Sequence, residues 1–181
     1  MANTRLKGWF KLPGKDGDRT LAEQMIGLAP ALAEARGKSV LDLGCAEGLI
    51  GREFAQAGAT VLGIECNPET VTAARTTCGE LVRIEQADLN TTSFPAGRWD
   101  IVLALAILHK LRYPARAVSD IAGTGAGLVV VRLPSGSTGQ FTTKNHGAWV
   151  DVNLEFKARG FALESVTTGP RREIVQYWRR S

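Results

Sequence analysis

The stretch KSVLDLGCAEG, residues 38–48, decides the architecture. A short run of β-branched and leucine side chains ends on Gly44, Gly48 follows, and residues 47–57 then read as a helix stopped by Gly58. Strand, glycine turn and helix succeed one another without a gap. The rhythm repeats in ATVLGIE at 59–65, after which Asn67 and Pro68 form a cap and first-turn pair for a helix over 69–77. A third strand is expected at 81–88. WDIVLALAIL at 99–108 is nearly all apolar, as a strand covered by helices on both faces should be, and belongs at the centre of a sheet. A helix at 114–121, a strand at 127–134, a helix at 148–159 and two final strands, FALESVTT and REIVQYW, complete the series. Upstream, Leu21, Met25, Leu28, Leu32 and Ala35 paint one face of a helix over 19–36, which Pro30 kinks or restarts.

Alternating strands and helices specify an α/β fold, a doubly wound and mainly parallel seven-stranded sheet with right-handed crossovers. Only Gly169, Pro170 and their flanks separate the last two strands, which leaves no room for a crossover helix, so the sheet should end in a C-terminal antiparallel hairpin. At 181 residues and 44% hydrophobic content the chain suits one core. Residues 19–181 are therefore expected to form one domain, with 1–18 as an N-terminal segment covering a pocket. GTGAG at 123–127 and PSGSTG at 134–139 read as loops, the second as a mobile lid.

The longest apolar run, 101–108, is far shorter than the roughly 20 residues of a membrane-spanning helix, and MANTRLKGWF lacks a signal-peptide core. A cytoplasmic protein without a membrane partner is expected. Cys45, Cys66 and Cys78 are an odd set without a CxxC pair, and there are only two histidines, which argues against disulfides and against a metal site. The net charge is +4, with basic residues clustered in RREIVQYWRR at 171–180. That cluster has two readings, a contact for phosphate or an acidic substrate and the solvated ends of a terminal strand.

In open α/β sheets a ligand sits beyond the C-terminal strand ends, beside the first strand-to-helix turn. A dinucleotide loop GxGxxG starting at Gly44 would need glycine where Ala46 and Leu49 stand. Written as DxGxGxG, the loop supplies Asp42, Gly44 and Gly48, with Ala46 in the remaining place. Two acids follow at the next strand ends, Glu65 and Asp88. With these features the sequence from Lys38 to Trp178 resembles the class I methyltransferase family, whose cofactor is S-adenosyl-L-methionine. The resemblance implies that Gly44 and Gly48 admit the amino-acid part of the cofactor, with Cys45 and Ala46 between them and Asp42 orienting the loop or accepting from the ligand ammonium. It makes Glu65 the acid that accepts both ribose hydroxyls, and sets Cys66 against the adenine. Asp88 would accept from the adenine amine, Leu89 would offer its backbone N–H, and Ala104 on the central strand would adjoin the ligand.

A sulfonium methyl group is already activated, so the protein's main task is alignment, worth roughly 7–11 kcal/mol. A base is needed only for an acceptor of high pKa. His109, just beyond the central strand, is the candidate base, with a packing or capping role as the alternative. Lys110, Arg112 and Tyr113 share its loop and suit an anionic acceptor. GWFKLPGKDGDR and ILHKLRYP resemble in placement parts of methyltransferases related to the tRNA wobble-uridine carboxymethyl-transferring family, which would fold Trp9, Lys11 and Arg19 over the pocket. His146 and Trp149 are further substrate-side candidates, with structural roles as the alternative. The place after the central strand reads ALAILHKL, without the Asn-Pro-Pro-aromatic type of motif of base-directed amino methyltransferases, so DNA is not an expected substrate. The resulting expectation is O-methylation of a small molecule or glycan. Its rivals are an RNA methyltransferase, for which RNA would be the partner, and a non-catalytic binding module of the same fold.

Overall fold

The structure, a computed structural model, describes residues 8–11, 17–95 and 97–181. Of the expected covering segment 1–18, residues 1–7 and 12–16 lie outside the described residues. The chain opens with β1 (Gly8–Phe10), β2 (Gly17–Arg19), α1 (Leu21–Met25) and α2 (Ala29–Ala33). The repeating units follow as β3 (Ser39–Leu43), α3 (Leu49–Gln56), β4 (Thr60–Glu65), α4 (Pro68–Cys78), β5 (Val82–Gln86), β6 (Ile101–Leu105), α5 (Pro114–Gly123) and β7 (Leu128–Leu133). The last stretch holds β8 (Gln140–Thr142), β9 (Trp149–Asp151), α6 (Val152–Lys157), β10 (Phe161–Thr168) and β11 (Ile174–Arg180).

Seven strands form the main sheet in the order β10-β11-β7-β6-β3-β4-β5. All neighbours from β7 to β5 are parallel, while β11 runs antiparallel to both β7 and β10. The expected doubly wound sheet and terminal hairpin are both present, and β11 lies inside the sheet. After β5 the chain returns to β6 on the other side of β3, so strand order reverses between β3 and β6. That reversal leaves a crevice at the carboxyl ends of these two strands.

Side chains alternate across the sheet and meet a helical layer on each face. Val40, Leu103, Val130 and Tyr177 pack with residues from α2, α3 and α4, including Phe54 and Val71. Leu41, Val102, Val129 and Trp178 pack with α5 and α6, including Val118 and Phe156. Phe156 stacks on Trp178 at 5.2 Å between ring centres. No helix among the described residues is long and apolar enough to cross a membrane.

Two local expectations need correction. The helix expected over 19–36 is interrupted, because Arg19 pairs in β2 and Gly27 adopts φ +81° between α1 and α2. A Cβ at Gly27 would lie 2.8 Å from Thr167 Oγ1, and its carbonyl accepts the Tyr177 hydroxyl at 2.5 Å. Only glycine fits that contact. The helix expected over 148–159 begins later, because Asp151 caps it by accepting from the Leu154 N–H at 2.9 Å. Residues 149–151 instead pair with β8 as a small hairpin, so PSGSTG leads into structured chain.

A buried polar network ties the N-terminal segment to the sheet. Arg132 of β7 is fully buried, donates to the Gln24 side chain at 2.8 Å and lies 3.8 Å from Glu173. Glu173 also pairs with Arg19 at 2.9 Å. Replacing Glu173 by alanine strands both guanidinium groups away from water and should cost about 3 kcal/mol in urea unfolding. A loss below about 1 kcal/mol would show that Gln24 suffices for Arg132.

Candidate functional site

A cavity of about 440 Å³ opens at the crevice between β3 and β6. That size is within the ordinary range for a small-molecule site. Gly44 and Ala46 line one wall, Glu65 and Cys66 follow from the end of β4, and Asp88 and Leu89 from beyond β5. These six expected residues share one cavity.

The glycine loop is shaped by left-handed backbone. Gly44 has φ +69°, and a Cβ there would meet Ile107 Cδ1 at 2.9 Å, so the absence of a side chain lets the two cavity walls close together. Ala46 has φ +50° and Ala106, on the opposite wall, φ +57°. Alanine in this region carries a cost of roughly 1–2 kcal/mol. The place in the loop that resembles a glycine position is thus one whose backbone favours glycine.

Glu65 binds both walls of the loop. Its Oε2 accepts from the Ala46 N–H at 3.1 Å, and its Oε1 from the N–H groups of Cys66 and Asn67 at 2.9 and 3.0 Å. A carboxylate has about four lone-pair sites, two on each oxygen, so Oε1 is filled and Oε2 keeps one toward a ligand. Asp88 Oδ1 accepts from the Asn90 N–H and Nδ2 at 2.9 and 3.0 Å, and no donor among the described residues engages Oδ2. Burial, then Glu65, pushes the Cys66 thiol up, away from the reactive thiolate.

Other expected residues stand behind the wall. Asp42 is buried facing α3, where its Oδ2 lies 3.6 Å from the position a Gly51 Cβ would take and has no partner. Burial lifts its carboxyl to about 7, Arg132 opposing and Glu65 adding to the rise. Gly48 turns its open side to Cys78, whose Sγ would lie 2.6 Å from a Cβ there. Cys45 fills the space beside Gly63, and Ala104 is fully buried in the core against α5. These residues support the loop and the sheet without lining the cavity.

Neither histidine lines the cavity. The His109 ring meets Phe141 edge-on at 6.4 Å, its buried Nδ1 lacks a partner, and its carbonyl accepts from the Lys144 N–H. Burial, then Lys110, lowers its pKa to about 4 while Glu173 opposes. The expectation of a base at the pocket mouth is corrected: the side chain points into the β8–β9 hairpin and is too weakly basic to hold a proton at neutral pH. His146 is exposed in that hairpin's turn. Arg112, Tyr113 and Trp149 line a separate open groove with Arg116.

Residues not expected at the site from the sequence also reach the cavity, among them Asn67, expected only as a helix cap, and Thr70, Asn90, Ile107 and Asp18. Position just past a strand end was the available signal for Asn67, Asn90 and Ile107. Trp9 lines the cavity as well, held by its N–H donating to Glu47 Oε1 at 3.0 Å, while Lys11 is exposed. The C-terminal cations are used within the fold: Arg179 pairs with Glu34 and Glu164, and Arg180 donates to the Ala126 and Ala122 carbonyls. Arg171 and Arg172 at the start of the cluster are exposed, as the solvated-strand reading expects, while Arg179 and Arg180 at its end are paired within the fold.

A profile of the methyltransferase domain matches residues 40–134, just over half the chain. The chain belongs to the class I methyltransferase family. A ubiquinone biosynthesis O-methyltransferase of Haemophilus ducreyi is 31% identical to this methyltransferase over 92 residues, 46% of this chain and 39% of that protein. The ribosomal protein L11 methyltransferase of Paraburkholderia xenovorans is 28% identical over 138 residues, 76% of this chain and 44% of its own length. The chain therefore spans less than half of either relative. Magnesium protoporphyrin IX methyltransferase from Synechocystis PCC 6803, crystallised with bound SAH, has the same fold, with a TM-score of 0.69 at 18% identity over 92% of this chain and 90% of that one.

Two predictions concern the loop. Ala46→Gly should raise stability by about 0.5–1 kcal/mol in denaturant unfolding; a loss would mean the alanine methyl group packs favourably. For Asp42 the folded pKa lies above the ordinary 3.8. The proton is thus held more tightly in the folded state, and stability falls as pH rises from that value through about 7. Asp42→Asn, which mimics the protonated acid, should melt higher than wild type at about pH 8, with the advantage shrinking toward about pH 5. An advantage independent of pH would refute the buried-acid account.

Proposed function

We propose that this methyltransferase uses S-adenosyl-L-methionine to methylate an oxygen atom of a small-molecule or glycan acceptor. The observation that carries the donor assignment is the convergence of Gly44, Glu65 and Asp88, from three adjacent strands, on one cavity at the switch in strand order. The residues present fit the donor chemically. Gly44 and Ala46 would border its amino-acid end, Glu65 Oε2 has acceptor capacity left for a ribose hydroxyl, and Asp88 Oδ2 is available to an adenine amine. The N–H of Leu89, on the same wall, would face the adenine ring. When bound, the donor supplies a methyl group on a sulfonium, already activated for in-line attack.

The protein's own part is positional. Ile107, Leu105 and Leu111 give the cavity an apolar side that would exclude water, and Trp9 lines it as well. With His109 turned away, the site favours an acceptor whose oxygen is already ionised or easily ionised. The relative that methylates oxygen in ubiquinone biosynthesis supports the choice of oxygen.

Calorimetric titration with S-adenosylhomocysteine checks the donor assignment. Binding in about the micromolar range is expected, with Glu65→Ala weakening it by about tenfold or more. Absence of binding at millimolar concentration would refute the assignment, and would favour a module that keeps the fold without the reaction.

A further inference from the structure

The donor-facing acids follow β4 and β5, on one side of the switch in strand order, whereas Lys110 enters the cavity from the β6 side. Lys110 has no carboxylate within ion-pair distance among the described residues. Its ammonium sits 4.3 Å from the centre of the Trp9 ring. The same ring carries the Arg19 guanidinium at 4.8 Å. Arg19 is 9% exposed, and its Nε and Nη1 find no acceptor. Deeper in, Arg132 is fully buried with Nε unsatisfied.

Of the buried carboxylates near these three cations, Glu173 is already shared by Arg19 and Arg132, Glu47 takes the backbone N–H groups of Trp9 and Phe10, and Asp42 sits behind the glycine loop. Asp18 also lines the cavity but is exposed, so water screens its charge. Burial lowers the Lys110 pKa, with Arg19 and Lys144 adding to the effect and Glu65 and Glu173 opposing it. A cation–π contact recovers only part of the hydration that a buried ammonium gives up. Anchoring the N-terminal segment through Trp9 would need one cation, and two flank its ring, Lys110 without an ion pair among the described residues and Arg19 with two donors unsatisfied.

We propose that the corner formed by Trp9, Lys110 and Arg19 receives an anionic oxyacid group, a carboxylate or a phosphate, carried by the methyl acceptor. The inference rests on the methyl-donor assignment of the cavity. It gives the acceptor a charge opposite to the corner and accounts for the lack of a histidine base there, since an oxyacid arrives ionised. Lys110 follows β6, and Arg19 is joined through Glu173, just before β11, to Arg132 of β7, whereas the acids assigned to the donor's ribose and adenine belong to β4 and β5.

The test uses the protein saturated with S-adenosylhomocysteine, titrated with inorganic phosphate or acetate at constant ionic strength. The reporter is the Trp9 indole resonance, assigned through Trp9→Phe. A saturable shift in about the millimolar range is expected, weakened by about tenfold in Lys110→Met and retained in Lys110→Arg. Lys157→Gln, on the exposed end of α6, should leave it unchanged. The affinity for S-adenosylhomocysteine should move by less than about threefold in Lys110→Met. No saturable shift up to about 50 mM would overturn the proposal. So would a tenfold loss of S-adenosylhomocysteine affinity in Lys110→Met without a loss for 5′-methylthioadenosine, since Lys110 would then hold the donor's own carboxylate. Failure of S-adenosylhomocysteine to bind the wild-type protein would instead strike the donor assignment itself.

Discussion

The site depends on one carboxylate. Glu65 gathers backbone N–H groups from Ala46 on one side and from Cys66 and Asn67 on the other, so the glycine loop and the turn leaving β4 are fixed relative to each other. These donors lie at strand and helix ends, where the backbone has no partner of its own. The same acid that would bind a ribose is therefore a structural tie. A loss of affinity on removing it combines a lost ligand contact with a loosened wall, and comparing melting temperatures with affinities separates the two.

A second constraint acts at the other end of the cavity. Trp9 and Phe10 are held by backbone donation to Glu47, itself fully buried where the glycine loop leads into α3. Arg19 is fastened through Glu173, next to β11. A short segment is thereby pinned at both ends by carboxylates belonging to separate parts of the sheet. Buried pairs of this kind add little net stability compared with apolar packing, but they fix position, because moving the segment leaves charge unmatched.

Much of this was legible in the sequence where it followed from period and strand order. The glycine turn, the acids at the ends of β4 and β5, and the antiparallel hairpin all follow from where strands stop, and stops are marked by Gly44, Asn67-Pro68 and Gly169-Pro170. What failed depended on side-chain direction or distant contact. His109 sits at the expected place along the chain, yet its ring turns toward Phe141, a contact set by a hairpin of two three-residue strands too short to register as a pattern. The break at Gly27 answers to Tyr177, 150 residues away. Asp42 was recognised by spacing, but its burial behind the loop is a property of the packed layer that α3 makes.

The two halves of the cavity also differ in how they are strung along the chain. Gly44, Glu65 and Asp88 belong to one continuous run of βα units, whereas Arg19 and Glu173 meet across 154 positions. The Trp9 segment meets the rest of the fold through a few contacts at its edge, and such contacts open with less free energy than the core they rest on. Local fraying can therefore dismantle the Trp9 corner while leaving the glycine loop intact. Amide exchange would follow that order, with Trp9 and Phe10 exchanging well before Gly44 and Cys45.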